Sequence, residues 1–265
     1  MSTRPDLSIV FPARDEEARL EPTLRQAAGF VRDRGIRAEM IVVDDGSRDG
    51  TGALVLRLAD EIPGLRLIRL AANRGKGHAV RTGVVNARGF RVLFADADGA
   101  TPMPELPRLG AALDAGADVA IGSRARASSE TTVRARLHRR LIGRAFHLLV
   151  ETLTVRGFSD TQCGFKLFTS RAAHDLFSRM RMDGFSFDVE LLLMARRRGY
   201  RVAEVPVNWT HVPGSRVNLL TDSARMARDL FVIRGRALRG LYDVPHLAPM
   251  HDAEAALPLS AAAAR

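Results

Sequence analysis

Short apolar runs alternate with longer amphipathic segments over most of this chain. The runs have the length and the β-branched and aromatic content of buried strands. They lie at residues 7–12, 40–43, 65–70, 92–95, 118–122 and 201–207. The segments between them have helical spacing, most clearly residues 16–34, where Leu20, Leu24, Ala27 and Val31 share one face. Alternation at such short intervals predicts an α/β fold with a mostly parallel sheet flanked by helices.

The fourth apolar run ends abruptly in two carboxylates, Asp96 and Asp98. Side chains two positions apart on a strand point to the same side, so both carboxylates can face one hard cation. Through that cation they can hold a diphosphate. The alternative for an isolated Asp-x-Asp is an acidic turn after a strand.

Polar clusters also follow the second and third predicted strands. Asp44, Asp45 and Ser47 are good helix-capping residues, which is the plainer interpretation of that cluster alone. The loop at residues 73–77, which contains Asn73, Lys76 and Gly77, matches neither a P-loop nor a dinucleotide fingerprint. All these clusters lie at the carboxyl ends of successive strands, which meet in one crevice of a parallel sheet. Together they favour a nucleotide-diphosphate site.

The C-terminal region predicts a basic amphipathic helix. One face would carry Met226, Leu230, Ile233, Ala237 and Leu241, and the opposite face Arg225, Arg228, Arg236 and Arg239. Such a helix can lie on a membrane surface, or dock on the core with a solvated basic face. We expect a catalytic domain over residues 1–221, a membrane-associating helix over 222–245 and a disordered Ala-rich tail over 246–265.

The amino-acid composition indicates that the protein has an anionic partner. The net charge is +10, and all 40 basic residues except Lys76 and Lys166 are arginines. The single cysteine, Cys163, excludes an intrachain disulfide and is expected to be a buried packing residue. No uncharged apolar run reaches the roughly 18 residues of a spanning helix, so we expect no transmembrane segment.

Residues 124–144 hold seven arginines and one acidic residue, Glu130. Nucleic-acid binding and a plain solvated face are both alternatives for such a segment. No aromatic residue lies within it, and Leu137, Leu141, Ala145 and Leu148 have helical spacing. This pattern favours a lipid surface or a lipid phosphate as the partner, and no nucleic acid.

Four of these motifs together resemble a known enzyme family. Residues 10–16, 43–47, 73–77 and 95–99 resemble, in this order, the signatures of family 2 glycosyltransferases with the GT-A fold. Further motifs at residues 160–168, 187–192 and 207–210 resemble the polyprenyl-phosphate sugar transferases, most closely the dolichyl-phosphate β-glucosyltransferases. Asp15 stands where the family usually has Asn, and the sequence opens without the N-terminal anchor of the eukaryotic glucosyl enzymes.

The resemblance implies roles for the residues at the strand ends. Asp98 would be the principal ligand of Mg²⁺ or Mn²⁺, and Asp96 would contact the ribose or the metal. The remaining donor-binding residues implied by the family motifs are Pro12, Ala13, Asp15, Glu16, Asp44, Ser47, Asn73, Lys76 and Gly77.

On the acceptor side, Asp160 and Gln162 can bind sugar hydroxyls. Asp188 and Glu190 lie about 200° apart on a helix, so only one can face the site, and Asp188 is the better candidate. A phosphate monoester acceptor is already largely a dianion near neutral pH, so it needs cationic support instead of a strong base. The candidates for that support are Arg124, Arg139, Arg140 and Arg216.

The resemblance implies inverting transfer of glucose from UDP-glucose to a polyprenyl phosphate, by a peripheral enzyme on the cytoplasmic face of a membrane. The alternatives are a GDP-mannose donor, a sugar nucleotidyltransferase, or a non-catalytic anion-binding module. A nucleotidyltransferase would have a Gly-rich basic N-terminal loop, whereas residues 11–16 are acidic. A non-catalytic module would not need the metal carboxylates.

Overall fold

The computed structural model describes residues 4–126, 131–134, 148–212 and 219–243. Arg139, Arg140, Arg216 and the tail predicted to be disordered lie outside the described residues.

The described chain alternates strands and helices as the sequence predicts. The strands are β1 (Leu7–Ala13), β2 (Ala38–Asp44), β3 (Leu65–Arg69), β4 (Arg91–Ala95), β5 (Val119–Ser123), β6 (Val133–Arg134), β7 (Phe165–Thr169), β8 (Val202–Pro206) and β9 (Trp209–Thr210). The helices are α1 (Leu20–Asp33), α2 (Thr51–Ala59), α3 (Lys76–Val85), α4 (Leu106–Asp114), α5 (residues 148–153), α6 (Ser170–Arg179), α7 (Phe187–Arg197) and α8 (Leu219–Leu238).

Seven strands form one sheet in the order β3-β2-β1-β4-β7-β5-β8. All neighbours are parallel except β7, which is antiparallel to both β4 and β5. The mostly parallel sheet is therefore confirmed, although the sequence predicts no strand at β7. The strand order reverses between β1 and β4, and ligands bind outside the carboxyl ends of strands at such a point.

Both faces of the sheet are buried, which explains why the strands are continuous apolar runs. Ile9, Phe11 and Leu93 face the layer that contains α1, α2 and α4. Val10 and Phe94 face the other layer, to which α3, α6, α7 and α8 contribute. Two apolar layers on one rigid sheet hold the strand ends, and hence the site, in fixed register.

The C-terminal helix packs on the domain with the face that the sequence predicts for a membrane. Met226, Leu230, Ile233 and Ala237 are all buried. This face is therefore not available to lipid, and the core-docked alternative describes its packing. Apolar surface on α7 and its preceding loop has to be covered, and α8 covers it. Arg236, expected on the outer face, instead reaches inward to Glu190.

Glu190 is the buried acid that ties α8 to α7. Its carboxylate accepts hydrogen bonds from the backbone N–H groups of Arg181 at 2.9 Å and Met182 at 2.7 Å. It also accepts from the Tyr242 hydroxyl at 2.6 Å and from Arg236 Nη1 at 3.2 Å. One carboxylate thus fixes the loop before α7 and the chain that follows α8. Within the described residues, no helix combines the length and hydropathy needed to cross a membrane.

Replacing Glu190 by alanine should lower the free energy of unfolding by about 3–5 kcal/mol, because it leaves buried donors without an acceptor. The matched control is Glu61→Ala, which removes an acid from a half-exposed pair with Arg25 and should cost at most about 1 kcal/mol. Urea denaturation of both variants measures the difference. Equal losses in the two variants would contradict the structural role given to Glu190.

Candidate active site

The loops after β1 and β2 lie side by side and are joined by hydrogen bonds. Ala13 is the register partner of Asp44, so both strands end together. The Ser47 N–H donates to Asp44 Oδ1 at 2.8 Å, and the Asp15 N–H donates to Ser47 Oγ at 2.9 Å. Asp15 Oδ1 accepts from the Arg48 N–H at 2.8 Å, and Asp15 has a positive φ of 51°. Asp15 therefore shapes this edge of the crevice.

Other predicted donor-binding residues of this edge are in varied environments. Pro12 and Ala13 are buried within β1, so only their backbone is available to a ligand. The Glu16 carboxylate lies 2.6 Å from Arg19, while the Glu16 N–H donates to Thr51 Oγ1 at 2.8 Å.

Asp44 is fully buried, and its Oδ2 atom has no hydrogen-bond partner. The nearest cation is Arg69, whose Nε lies 3.4 Å from this oxygen. A cleft beside it is lined by Arg14, Ser47, Arg48, Arg69 and Asn73, among others. A buried acceptor without a donor is costly unless a ligand supplies one. Asp44 itself is not among the residues that line this cleft, so its Oδ2 atom is a buried acceptor beside the Arg69 guanidinium.

Asp45 positions the loop that carries Lys76. Its Oδ1 atom accepts from the Arg74 N–H at 2.6 Å, and its Oδ2 atom accepts from the Gly75 N–H at 2.9 Å. The sequence places Asp45 in a capping or nucleotide-binding cluster and does not predict this contact with the next loop. Asn73 Oδ1 also accepts from the Gly75 N–H, at 3.2 Å.

Gly75 and Gly77, the two glycines of this loop, have a packing role that the sequence does not predict. Gly75 has a φ of 104°, and a Cβ there would collide with the carbonyl oxygen of Asp183. A Cβ at Gly77 would collide with the carbonyl oxygen of Met182. These positions are glycine because the loop lies directly against the segment that precedes α7.

Asp96 and Asp98 follow β4 at the reversal point of the sheet. Lys76 Nζ lies 2.6 Å from Asp96 Oδ1, while Asp98 Oδ1 accepts from the Ala100 N–H at 3.1 Å. Burial and the neighbouring charge of Asp96 raise the pKa of Asp98. A Cβ at Gly164 would collide with the Asp96 carboxylate, so this glycine makes room for it.

The carboxylate oxygens of Asp96 and Asp98 are suitable ligands for a divalent cation. Within the described residues there is no cluster of three or more His, Cys, Asp or Glu side chains with metal-binding geometry. Two carboxylates can hold Mg²⁺ or Mn²⁺ when substrate phosphates supply further oxygens. Burial first, and the charge of Asp96 second, raise the pKa of Asp98, and a bound cation would favour its ionised form.

The only two lysines of the chain meet at one aromatic ring. Lys76 Nζ and Lys166 Nζ lie 5.4 Å and 5.8 Å from the centroid of Phe94. Lys166 is fully buried and donates to Asp188 Oδ1 at 2.5 Å and to the carbonyl of Cys163 at 2.8 Å. Burial disfavours the charged form of Lys76, but Asp96 and Asp188 outweigh it and raise its pKa. Asp188 is thereby brought into the charge network of the site.

The sequence model of glycosyl transferase family 2 matches residues 8–177. The chain belongs to this family.

Two named relatives indicate which sugar transferases this glycosyltransferase is similar to. A protein from Homo sapiens named dolichyl-phosphate β-glucosyltransferase is 39% identical over 249 residues, covering 89% of this chain and 77% of the relative. A protein of the same name from Saccharomyces cerevisiae is 38% identical over 254 residues, covering 89% and 76%.

A solved structure supports the fold. Glucosyl-3-phosphoglycerate synthase from Mycobacterium tuberculosis, in complex with Mn²⁺, UDP-glucose and phosphoglyceric acid, superposes with a TM-score of 0.63 at 20% identity. The match covers 87% of this chain and 80% of that chain. The GT-A fold expected from the sequence is confirmed.

Asp160 and Arg124 of the glycosyltransferase are paired with each other. Asp160 accepts from Arg124 Nε at 2.7 Å, Arg124 Nη2 at 2.9 Å and the Arg124 N–H at 3.0 Å. Burial opposes ionisation, but the Arg124 guanidinium holds the pKa of Asp160 at about 2. The Asp160 carboxylate also accepts from the Gln162 N–H at 3.0 Å. Its acceptor capacity is thus used within the protein, so its expected contact with sugar hydroxyls is not supported by this packing.

The remaining acceptor-side predictions have mixed outcomes. Gln162 Nε2 donates to the Phe185 carbonyl at 3.3 Å. Asp188 and Glu190 have different partners, Lys166 and the α8 region, so the two acids do face different ways as expected. Cys163 is fully buried, as predicted, and burial raises the pKa of its thiol to about 12. Arg139, Arg140 and Arg216 lie outside the described residues.

The pair Lys166 and Asp188 allows stability to be separated from catalysis. Lys166→Met alone should lower the free energy of unfolding by about 3–5 kcal/mol, because it leaves a buried carboxylate unpaired. Lys166→Met with Asp188→Leu should restore most of that stability, since no uncompensated charge remains. The double variant should nevertheless transfer sugar poorly, because the charge that supports Lys76 is gone. Denaturation and sugar-transfer rates, measured on both variants, check this; a stable and fully active double variant would confine Asp188 to a structural role.

Proposed function

We propose that this glycosyltransferase transfers glucose from UDP-glucose to a dolichyl-type polyprenyl phosphate, with inversion at the anomeric carbon. The observation that carries the proposal is the 39% identity of the chain to a relative of that name. The order of the sheet supports it, because Asp44 and Ser47 follow β2, Lys76 follows β3, and Asp96 and Asp98 follow β4, at the carboxyl ends of strands of one sheet.

The donor nucleoside would lie at the ends of β1 and β2. Asp44 Oδ2 supports this: it lies 3.4 Å from Arg69 Nε but has no hydrogen bond, and it can accept one from a base N–H or a ribose hydroxyl. Asp15 and Ser47 shape the same edge through their mutual hydrogen bond. Asn73, Lys76 and Gly77 belong to the loop on the other side of the cleft, where Lys76 offers a point charge to the diphosphate.

Asp98 and Asp96 would hold Mg²⁺ or Mn²⁺. When bound, the ion would neutralise charge on the diphosphate leaving group. The complex of the Mycobacterium tuberculosis enzyme with Mn²⁺ and UDP-glucose is consistent with a divalent ion in this fold. Lys76, 2.6 Å from Asp96, would bring a positive charge to the same place.

The chemistry needs little proton transfer. An oxygen of the acceptor phosphate forms the bond to the anomeric carbon, and the bond from that carbon to the diphosphate oxygen breaks on the opposite face. The acceptor has a second pKa of about 6, so near neutral pH it carries no proton that a base must remove. The protein's task is to align two anions and to stabilise charge on the leaving one. The pairing of Asp188 with Lys166 agrees with a supporting role instead of a general base.

The acceptor phosphate requires a second set of cations, because acceptor and leaving group lie on opposite faces of the reacting carbon. We assign this task to Arg139, Arg140 and Arg216 on the sequence pattern alone. Arg124 stays close to the site but is bound to Asp160. A peripheral position on the cytoplasmic face of a membrane follows from the lipid acceptor and remains part of the proposal.

A radiolabelled-donor assay tests the proposed reaction. UDP-glucose should give a lipid-extractable product with a polyprenyl phosphate, and GDP-mannose should give at most a trace, because the relatives that carry the assignment are glucosyltransferases. Transfer from GDP-mannose at an equal or higher rate would replace the glucosyl assignment by the mannosyl one. No lipid product from either donor would refute the acceptor class.

Asp98→Asn should lower the transfer rate at least about a hundredfold, because metal stabilisation of the leaving group is worth several kcal/mol. The unfolding midpoint should stay constant or rise slightly, since the raised pKa of Asp98 means that folding disfavours its charge. Asp33→Asn, a change at an exposed carboxylate, is the matched control and should change neither quantity. EDTA should abolish activity of the parent enzyme, and Mg²⁺ or Mn²⁺ should restore it; full turnover in chelator would contradict the metal assignment.

A further inference from the structure

Exposed apolar side chains concentrate in one region of the described chain. Eight large apolar residues are exposed, and six of them lie in or next to α5 and α8. The six are Leu148, Leu149, Phe231, Val232, Leu238 and Leu241. The two helices are in contact, because Arg234 Nη1 donates to the carbonyl of Leu153 at 3.1 Å. An apolar cluster on a surface usually marks an interaction site.

The most prominent of these side chains point away from the core. Phe231 is 60% exposed and Leu238 is 74% exposed. They are seven residues apart, so they project from the same side of α8, roughly opposite the buried Met226 and Ile233. Rigid packing on the inner side therefore holds the outer apolar pair in a fixed orientation.

The charged side chains of α8 also differ between its inner and outer sides. Asp222 and Asp229 turn toward the protein, with side chains only 14% and 12% exposed, and they lie 3.8 Å from Arg225 Nη1 and 3.4 Å from Arg228 Nη2. Exposed arginines surround the apolar pair on the outside: Arg225, Arg228, Arg234 and Arg239. The outer α8 face, defined as Phe231 and Leu238 with these four arginines, is thus apolar at its centre and basic at its rim.

We propose that the outer α8 face rests on an anionic lipid surface, with Phe231 and Leu238 inserted among the headgroups. The inference rests on the proposed lipid acceptor. It differs from the expectation from sequence, which assigns the membrane to the Met226 face that is in fact buried. Apolar insertion and basic residues at the rim are the two attractions that hold a peripheral helix on such a surface.

Charge decides between lipid and a second copy of the chain. Two outer α8 faces placed together would bring eight arginines into one contact, where like charges repel. An anionic headgroup layer attracts the same arginines, and the net charge of +10 acts in the same direction.

The position of α8 also suits a lipid-bound acceptor. Its inner side contacts the segment before α7 through the Ser186 hydroxyl, which donates to Asp229 Oδ2 at 3.1 Å. The Met182 and Asp183 carbonyls of that segment lie against Gly77 and Gly75, beside Lys76. About one helix diameter, roughly 10–12 Å, and one loop separate the outer face from the donor site. An acceptor phosphate at a membrane surface would need to travel only a short distance.

Vesicle co-sedimentation tests the proposal directly. The parent protein should bind phosphatidylglycerol-containing vesicles and release them at high salt, with weaker binding to pure phosphatidylcholine. Phe231→Ser with Leu238→Ser should lower the partition coefficient about tenfold or more. Arg225→Gln with Arg228→Gln should lower it about fivefold per residue on anionic vesicles only. The matched control is Leu56→Ser, which removes an equally exposed side chain, 60%, from α2 and should leave binding unchanged.

A second assay separates this proposal from the proposed function. The serine double variant should keep the parent rate with a short-chain prenyl phosphate in solution, and lose rate with a long-chain acceptor in vesicles. Unchanged vesicle binding by the double variant would overturn the assignment of the surface. So would a parent dimer in solution that the double variant abolishes, because the face would then be a self-association surface. Failure of the proposed function would instead appear as no transfer by the parent to either acceptor.

Discussion

The Phe94 ring and the four charges near it constrain the centre of the structure. Phe94 is the register partner of Lys166, so the two side chains emerge from the same side of adjacent strands. Lys166 pairs with Asp188 on α7, and Lys76 on the neighbouring loop pairs with Asp96 after β4. Lys166 and Asp188 are buried, and buried charges are stable only when they are paired and hydrogen-bonded, so neither can move alone. The network thereby fixes strand, helix and loop relative to one another where the diphosphate would lie.

A second constraint links the loop at residues 73–77, here called the donor loop, to the C-terminal helix α8. Asp45 binds the backbone of this loop on one side, and the segment that precedes α7 packs against it on the other. That packing is so close that only glycine fits at loop positions 75 and 77. That segment is held by Glu190, which in turn binds Arg236 and Tyr242. The C-terminal helix is thus part of the support of the site and not an appendage. The outer side of α8 is therefore connected to the donor loop through the packed segment that precedes α7.

Two of the strand-end carboxylates lie in electrostatically unfavourable positions, as the proposed ligand site would require. Asp98 is ionised less readily than an ordinary aspartate, and Asp44 keeps an oxygen without a donor. Both are the expected signs of groups arranged for something that the protein itself does not supply. Asp160, by contrast, is fully satisfied by Arg124 and contributes to the architecture.

Sequence alone determined the alternation of strands and helices apart from β7, the sheet with two buried faces, the position of Asp96 and Asp98 at a strand end, and the family resemblance. These features depend on short-range periodicity and on polar residues that follow apolar runs, and both are local properties. Tertiary structure decided which residues meet: Asp160 with Arg124, Asp188 with Lys166, and Glu190 with Tyr242, which is 52 positions away. It also decided which side of α8 is buried, because a helix with apolar residues on more than one side can be oriented only by what it covers. Long-range packing sets these choices, and no pattern confined to neighbouring residues contains them.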